Sequence, residues 1–261
     1  MMGFFVLDGT SSSDFGVNVS GLESWKTPQR EIEKVKIPGR SGHLITYVGG
    51  WENVEEEYPA WIARKFHHRW DRFAEWWNAH TDNYYELSDI YHPEYFRMAC
   101  PISKLDPDVG TLNKSGKFDL KFDCKPQKYL RDGNVARIVP DGGSITLRNP
   151  TSYDASPLVI SKMAGGADNI IMISDDMDSV ICQLRFKAND GTYSYAGTDI
   201  VYDSETQEAT ASFYTNLISA NAAVVETFEN DFSKFSIPAD TTVRIDSWNG
   251  EFAIYPRWYR I

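Results

Sequence analysis

Adjacent histidines and clustered carboxylates are the side chains of this 261-residue sequence that come closest to metal chemistry. His67 and His68 fall on a predicted helix, where neighbouring side chains point about 100° apart, so they cannot chelate one ion as an i, i+4 pair does. The segment SDDMDS brings Asp175, Asp176 and Asp178 together, yet it lacks the central glycine and distal glutamate of an EF-hand. Predicted strands flank it, which favours a turn. The sequence therefore predicts no bound metal, with calcium at these three aspartates as the alternative.

Motifs for nucleophiles and for phosphate binding are the second kind of chemistry that a sequence can display. The chain contains no Gly-x-Ser-x-Gly elbow, no Walker-type glycine-rich loop and no dinucleotide fingerprint. With 37 acidic side chains, some carboxylate pair suited to glycoside cleavage must occur by chance, so such a pair carries little weight. We therefore expect a protein without enzyme activity and without a cofactor.

The composition describes an acidic protein with ample material for a core. Hydrophobic residues make up 42% of the chain, and 37 acidic against 26 basic side chains give a formal net charge of −11. This balance argues against binding of nucleic acid or of an anionic membrane, because those ligands require a basic patch. The first residues lack the long apolar core of a secretory signal, and no stretch approaches the roughly 20 apolar residues of a membrane span. The three cysteines form no Cys-x-x-Cys pair and are expected to be reduced.

Most of the elements that would position a site are short strands. The segment EIEKVKIPGRSGHL starts with alternating charged and aliphatic residues, which predicts a strand over Glu31–Ile37 with one polar and one apolar face. Gly39 and Gly42 are expected to supply the unusual backbone angles of the turn that follows. The segment KFDLKFDCKP alternates again, with one face formed by Phe118, Leu120, Phe122 and Cys124.

One long helix is predicted, in the segment PAWIARKFHHRWDRFAEWWNAH. Pro59 is placed at its start, and the acidic run 55–57 lies just upstream, where the helix dipole favours negative charge. Trp61 and Trp76 lie off the main apolar stripe. A helix that is apolar on more than one side needs a second partner, so both are candidates for a subunit contact, with packing inside the same chain as an equal alternative. The predicted buried stripe consists of Ile62, Phe66, Trp70, Phe73 and Trp77.

The second half of the chain reads as strands separated by Gly, Asn and Asp turns. A polar, turn-rich stretch after Tyr129 is the predicted domain boundary. Six short apolar segments follow, and strands at this density are typical of an antiparallel β-sandwich. They are SITLRN, PLVISKM, NIIMIS, VICQLRF, TVRIDS and EFAIYP.

The order of several motifs resembles a known family. SDFGVNVSG, EIEKVKIPGRSGHL, the aromatic-rich helix, YYELSD, YFRMACPISKL and GKFDLKFDCKPQKYL occur in the first half, and NPTSYDASPLVI, IVYDSETQEAT and FAIYPRWYRI in the second. In this order they resemble the distal tail proteins of long-tailed phages that infect Gram-positive hosts, also called the siphovirus tail-component family. The resemblance extends over nearly the whole chain, and the order is more specific than any single motif.

The resemblance implies a mainly β protein with one long helix and two domains. Residues 1–135 would be a ring-forming sheet or barrel domain with a flanking helix, and residues 136–261 a galectin-like β-sandwich that faces outward. Six copies would form a ring that joins the tail tube to the tail fibre or baseplate. Glu31–Ile37 would then be a strand of the ring sheet with one face in the core. Arg40 would either form an inter-subunit ion pair or be an ordinary exposed residue.

The implied partners are other copies of the chain, the tail tube protein, and the tape-measure, tail fibre or baseplate proteins. DNA would only pass through the lumen, no membrane would be entered, and the protein would be made in the bacterial host cytoplasm and end at the virion tail tip. Two other functions stay open. The first is a carbohydrate-binding module for host cell-wall glycans, with Trp248 as the candidate stacking residue and a core or inter-domain position as the favoured alternative for this side chain. The second is a glycan-cleaving enzyme.

Overall fold

The computed structural model divides the chain into two compact units. Residues 1–128 and the last residue, Ile261, form the N-terminal unit, and residues 129–260 form the C-terminal unit. The boundary predicted at residue 135 lies just inside the second unit, and the assignment of separate roles to the two units stays a prediction. The structure describes residues 3–21, 26–110, 114–163, 167–188, 197–213, 216–219, 225–228 and 235–261.

The N-terminal unit is an antiparallel sheet with one helix packed on it. Along the sheet the strand order is β2-β1-β7-β8-β10-β6-β3, and β9 pairs with β10, while β4 and β5 pair with each other. A 3-10 turn covers Ser12–Phe15. The elements are β1 (Phe5–Leu7), β2 (Thr10–Ser11), β3 (Val17–Val19), β4 (Arg30–Lys36), β5 (His43–Trp51), β6 (Val54–Ile62), α1 (Phe66–Asn78), β7 (Tyr85–Asp89), β8 (Tyr95–Pro101), β9 (Asp108–Val109) and β10 (Gly116–Cys124).

Strand β10 forms the centre of this core. Its apolar face is buried as predicted: Phe118, Leu120, Phe122 and Cys124 are all inaccessible or nearly so. Trp77 of α1 packs edge-on against Phe122, with ring centroids 5.1 Å apart, and its indole nitrogen donates a hydrogen bond to a main-chain carbonyl in the segment after β8. The alternating pattern of β10 therefore finds its cover within the same unit.

The predicted start of the helix was wrong. Residues 54–62 form β6, so Pro59 and Ile62 belong to a strand, and α1 begins only at Phe66. Proline has no backbone N–H to donate, and it is tolerated here because β3, the neighbouring strand, already ends at Val19. The Pro59 carbonyl still accepts a hydrogen bond of 2.9 Å from the backbone N–H of Ser20. Of the predicted helical stripe, the residues of α1 that are buried are Phe66, Phe73 and Trp77, while Trp70 is half-buried.

The C-terminal unit consists of two antiparallel sheets that share one hydrophobic core. One sheet has the order β12-β22-β14-β17-β18-β19 and the other β13-β21-β15-β16-β20, and β11 pairs with β23. A second 3-10 turn covers Arg131–Asn134. The strands are β11 (Lys128–Leu130), β12 (Arg137–Val139), β13 (Ser144–Arg148), β14 (Leu158–Lys162), β15 (Asn169–Ser174), β16 (Val180–Phe186), β17 (Asp199–Asp203), β18 (Glu208–Phe213), β19 (Asn216–Ser219), β20 (Val225–Phe228), β21 (Thr242–Trp248), β22 (Glu251–Tyr255) and β23 (Tyr259–Arg260).

The expected class, mainly β with one long helix, is confirmed. Strands β15 and β16 have the bounds that the segments NIIMIS and VICQLRF indicated. In the part of the chain described here, no helix is both long and apolar enough to cross a membrane.

Candidate assembly surface

Strands β4 and β5 form a hairpin arm, residues 30–51, in which the described strand pairing is only between the two strands. Across the arm Ile32 lies opposite Tyr47, and Val35 lies opposite Leu44. The register shifts near Arg30, which marks a bulge at the base of the arm. The arm is thus a two-stranded ribbon, which on its own is marginally stable in water.

Both faces of the hairpin arm carry exposed apolar side chains. Ile32, Tyr47 and Ile45 lie on one face, and Ile45 is 62% exposed. Val35 and Leu44 lie on the other face, and Leu44 is 50% exposed. The prediction that Glu31–Ile37 buries one face in the core was therefore wrong for the single chain, in which every residue of β4 is exposed.

The spacing of the apolar residues explains this outcome. Ile32 and Val35 are three positions apart, so they point to opposite faces of a strand, and Leu44 and Ile45 are neighbours and do the same. No single face gathers the apolar residues, in contrast to β10. A patch of this kind on a soluble protein is typical of an interaction surface.

The tip of the arm has the backbone that its glycines predicted. Gly39 and Gly42 have φ of 78° and 86°, the left-handed region that favours glycine. Arg40 is exposed at this tip, and its backbone N–H donates to the carbonyl of Ile37 at 3.2 Å. Arg40 and His43 help to line a shallow depression of about 330 Å³. The guanidinium of Arg40 is thus accessible to another chain, and an inter-subunit ion pair of Arg40 stays a prediction.

The base of the arm is held by stacking of a cation on two aromatic rings. The guanidinium of Arg30 lies 4.9 Å from the ring centroid of Tyr47 and 4.7 Å from that of Trp51. Such contacts contribute about 0.5–1 kcal/mol each at exposed sites. These contacts hold the two strands together at the base of the arm, while the side chains farther along it remain exposed.

The two helix-region tryptophans lie on different elements and do not come together. Trp76 is half-buried on α1, and its ring packs against Phe5 and Phe15, with centroids 6.3 Å and 5.0 Å away. Trp61 is on β6, where its neighbours Ala60 and Ile62 are buried, so it points to the opposite face of the sheet. Trp76 is thus covered largely by its own unit, and the part that both residues play in a subunit contact stays a prediction.

Trp248 ends β21 in the C-terminal unit and is 53% exposed. It lies opposite Ile170 on β15, which in turn lies opposite Arg185 on β16, so the three side chains form one row on the outer face of their sheet. Arg185 pairs with Asp168 at 2.5 Å. An exposed aromatic ring in one row with a charged pair offers a surface for sugar stacking, and glycan binding stays a prediction.

A buried ion pair lies on the core face of the N-terminal sheet and includes Glu56, the middle residue of the acidic run that the sequence placed just before the helix. Glu56 on β6 and Arg97 on β8 are both buried, with Oε1 and Nη2 3.3 Å apart. Burial outweighs the attraction of Arg97 and raises the pKa of Glu56 to about 6. Oε2 of Glu56 and Nη1 of Arg97 have no hydrogen-bond partner among the described residues. No pattern in the run EEE distinguishes the middle carboxylate, because its partner comes from another strand.

The candidate chemical groups do not form a catalytic arrangement in the described part of the chain. The carboxylate of Asp175 accepts hydrogen bonds from the backbone N–H groups of Met177 and Ser179, and Asp178 pairs with Arg244. Both carboxylates thus serve the turn between β15 and β16. Burial raises the pKa of the Cys124 thiol to about 12, so this cysteine is not a nucleophile at neutral pH. No cluster of three metal-ligating side chains occurs among the residues described.

Comparison with solved structures identifies the fold. The Dit (gp 19.1) protein of phage SPP1, presented as a paradigm of the hub adsorption apparatus in phages that infect Gram-positive hosts, matches with a TM-score of 0.65 and 15% identity over 97% of this chain and 98% of that chain. A chain of the phage P2 baseplate in its activated conformation with Ca matches with a TM-score of 0.58 and 10% identity, over 97% of this chain and 98% of its own. The corresponding structure with Sr gives 0.57 and 10%, over 100% and 99%.

At these identities the comparisons establish the fold, which is that of phage hub and baseplate proteins. No family model and no curated protein matches the sequence. The resemblance seen in the order of the sequence motifs is confirmed as a shared fold over the full length of the chain.

Proposed function

We propose that this chain is a structural hub protein of a long-tailed phage or prophage tail tip. Six copies form a ring that joins the tail tube to the tail fibre or baseplate, with the N-terminal unit closing the ring and the C-terminal unit facing outward. The full-length match to phage hub and baseplate folds supports the hub role. The observation that carries the assembly step is the hairpin arm, which displays apolar side chains that its own chain leaves exposed.

A second copy of the chain is the partner that suits the arm. A head-to-tail ring is a heterologous assembly, in which one surface of each protomer meets a different surface of the next. An arm that pairs with no other described strand and presents exposed apolar side chains on both faces fits such a contact, because another chain can cover those side chains. The formal charge of −11 also suits a channel for DNA, since basic walls would retain phosphates.

The test compares two exposed apolar residues that receive the same acidic substitution. Ile45→Asp changes the hairpin arm, and Met177→Asp changes a turn of the C-terminal unit in which the side chain is 82% exposed. Native mass spectrometry at rising protomer concentration should show oligomers, and negative-stain images should show rings, for the unmodified chain and for Met177→Asp. Ile45→Asp should stay monomeric. Equal assembly of both variants would refute the role of the arm, and a monomer at every concentration would argue against a self-assembling hub.

A carbohydrate-binding role for the C-terminal unit is the second candidate, and the observation that favours it is the exposed ring of Trp248 in one row with the Arg185–Asp168 pair. Binding to purified cell-wall polysaccharide should then weaken in Trp248→Ala. Phe4→Ala, which removes a 38% exposed ring from the N-terminal unit, is the matched control. Retention of both variants equal to that of the parent chain would remove this candidate.

A further inference from the structure

A groove of about 540 Å³ opens at one edge of the C-terminal unit, between the terminal strands of its two sheets. Strand β12 ends one sheet and β13 ends the other, and both line the groove. Trp258, which is buried, contributes to its floor, and the half-buried Ile145 and Leu147 lead from the groove into the core. The groove therefore gives access to apolar surface at a sheet edge with which no further described strand pairs.

The register of β13 shows which of its backbone groups face the groove edge. The carbonyl of Gly143 accepts from Ser247, and the N–H of Asn149 donates to Thr241, so odd-numbered residues exchange hydrogen bonds with the β21 side. In an antiparallel ladder, alternate residues turn their N–H and C=O groups to opposite sides. The backbone groups of Ser144, Thr146 and Arg148 therefore point away from β21, to the free edge. A row of such groups is a template for another strand.

The side chains of β13 define what that strand should carry. Ile145 and Leu147 point inward, so every second residue of an added strand would face an apolar interior. Ser144, Thr146 and Arg148 are exposed on the outer face. Arg137, across the groove, already pairs with Asp132 at 2.6 Å. Arg148 has no hydrogen bond or ion pair within the described part of the chain, so its guanidinium is available for a carboxylate.

We propose that the free edge of β13 binds an extended segment of another protein, which adds to the sheet as a strand. Its residues alternate between apolar side chains that enter the groove and outward side chains that include a carboxylate opposite Arg148. Main-chain hydrogen bonds supply the attachment, and the alternating side chains supply the selectivity. This docking function is separate from ring formation, which depends on the hairpin arm in the other unit.

A second copy of this chain suits the edge less well. Symmetric self-association through the edge would bring two copies of β13 together, and its sequence SITLR contains no acidic residue to meet Arg148. Charge complementarity therefore favours a partner whose segment carries its own carboxylate. A nucleic acid is a poor occupant, because its backbone cannot complete a β-ladder.

The test uses a ten-residue synthetic peptide of alternating Val and Glu, labelled with a fluorophore, and the full-length protein. Anisotropy should report saturable binding with a Kd of about 0.1 mM, typical of a short, weakly ordered ligand. A peptide of alternating Val and Lys should bind at least about tenfold more weakly. The acidic peptide should also lose its affinity when the nitrogens of its pairing side are methylated, because methylation removes the donors that β13 requires.

Two variants locate the binding to this edge. Thr146→Pro removes a donor that faces the free edge and spares the bonds to β21, so it should abolish binding of the acidic peptide. Arg148→Glu should weaken the acidic peptide about tenfold and strengthen the Val–Lys peptide. Lys104→Glu, the same charge change at an exposed position of the N-terminal unit, is the control and should behave as the parent chain.

Each outcome decides the proposal. The reversal of peptide preference in Arg148→Glu supports it even if Thr146→Pro fails to fold. No binding of the acidic peptide at about 1 mM overturns it. Binding that is unchanged in Arg148→Glu overturns it too, because the peptide would then lie elsewhere. Self-association of the parent chain that Thr146→Pro abolishes would identify a second copy as the occupant and would also overturn it.

Discussion

Strands β10 and β4 are both rich in alternating charged and apolar residues, but they differ in what covers them. In β10 the apolar positions share one parity, and that face lies against α1 and the rest of the N-terminal core. In β4 the apolar positions change parity, and no residue of the strand is buried. The strand that serves stability therefore keeps its pattern in phase, and the strand available for contact with another chain does not.

The largest effect is expected at the covered strand. Trp77 is inaccessible to solvent and packs on Phe122, so Trp77→Ala should lower the free energy of unfolding by about 3–5 kcal/mol, through lost burial and the cavity left behind. Urea denaturation measures the change. Trp70, which is half-buried, is the matched control, and Trp70→Ala should cost less. Trp70 also packs on β10, at Phe118, so equal costs for the two variants would mean that the depth of burial does not decide the cost.

An intermediate effect is expected from the buried ion pair beside β10. Burial raises the pKa of Glu56 from an ordinary 4.5 to about 6, so the folded state binds this proton more tightly than the unfolded state. The stability contributed by this proton is complete below about pH 4.5 and is lost as the pH rises through about 6. Relative to Glu56→Gln, the parent chain should therefore gain about 2 kcal/mol of unfolding free energy between pH 7.5 and pH 4.5.

Unfolding titrations of the parent chain and of Glu56→Gln at both pH values give this difference directly. Removal of the carboxylate also leaves Arg97 buried without its counter-ion, which costs stability at both pH values. The prediction therefore concerns only how the stability difference between the parent chain and Glu56→Gln changes from pH 7.5 to pH 4.5. A constant gap between the variants would show that Glu56 is ionised equally easily in the folded and unfolded chain.

The smallest effect on stability is expected in the hairpin arm. Ile45→Asp should change the unfolding free energy of the monomer by less than about 0.5 kcal/mol, because the side chain is already in water. Thermal unfolding at a dilution that suppresses assembly measures this. A loss of several kcal/mol would mean that the arm belongs to the fold of the single chain, and the contrast with β10 would disappear.

Local patterns were enough to predict the fold class and most strands. The apolar face of β10 and the bounds of β15 and β16 follow directly from alternation. The helix was extended too far because Ile62, four residues before Phe66, continues the helical spacing although it lies in β6. Proline is found at the first position of a helix, and it is equally compatible with a strand at a point where the neighbouring strand has ended, as at Pro59. Nothing in the sequence around either position separates the two cases.

The candidate sites depended on contacts between distant segments, which alternation does not reveal. The pairing of Glu56 with Arg97 joins two strands, and the groove at β13 exists because two different sheets end side by side. Arg40 is exposed at the tip of the arm and Trp248 is exposed at the end of β21, whereas Trp76 is held by rings from β1 and the first 3-10 turn. The exposure of the arm was readable from the odd spacing of Ile32 and Val35.

The charges between the apolar residues of the arm have a consequence for which strands the arm can pair with. A bare apolar ribbon would pair with any exposed strand in a crowded cell and form aggregates. Glu33, Lys34 and Lys36 interrupt the ribbon on both faces, so pairing in a wrong register places like charges together or leaves them without water. Charge patterning on the arm thus disfavours pairing with an unmatched strand and still permits pairing with a surface of matching shape and charge.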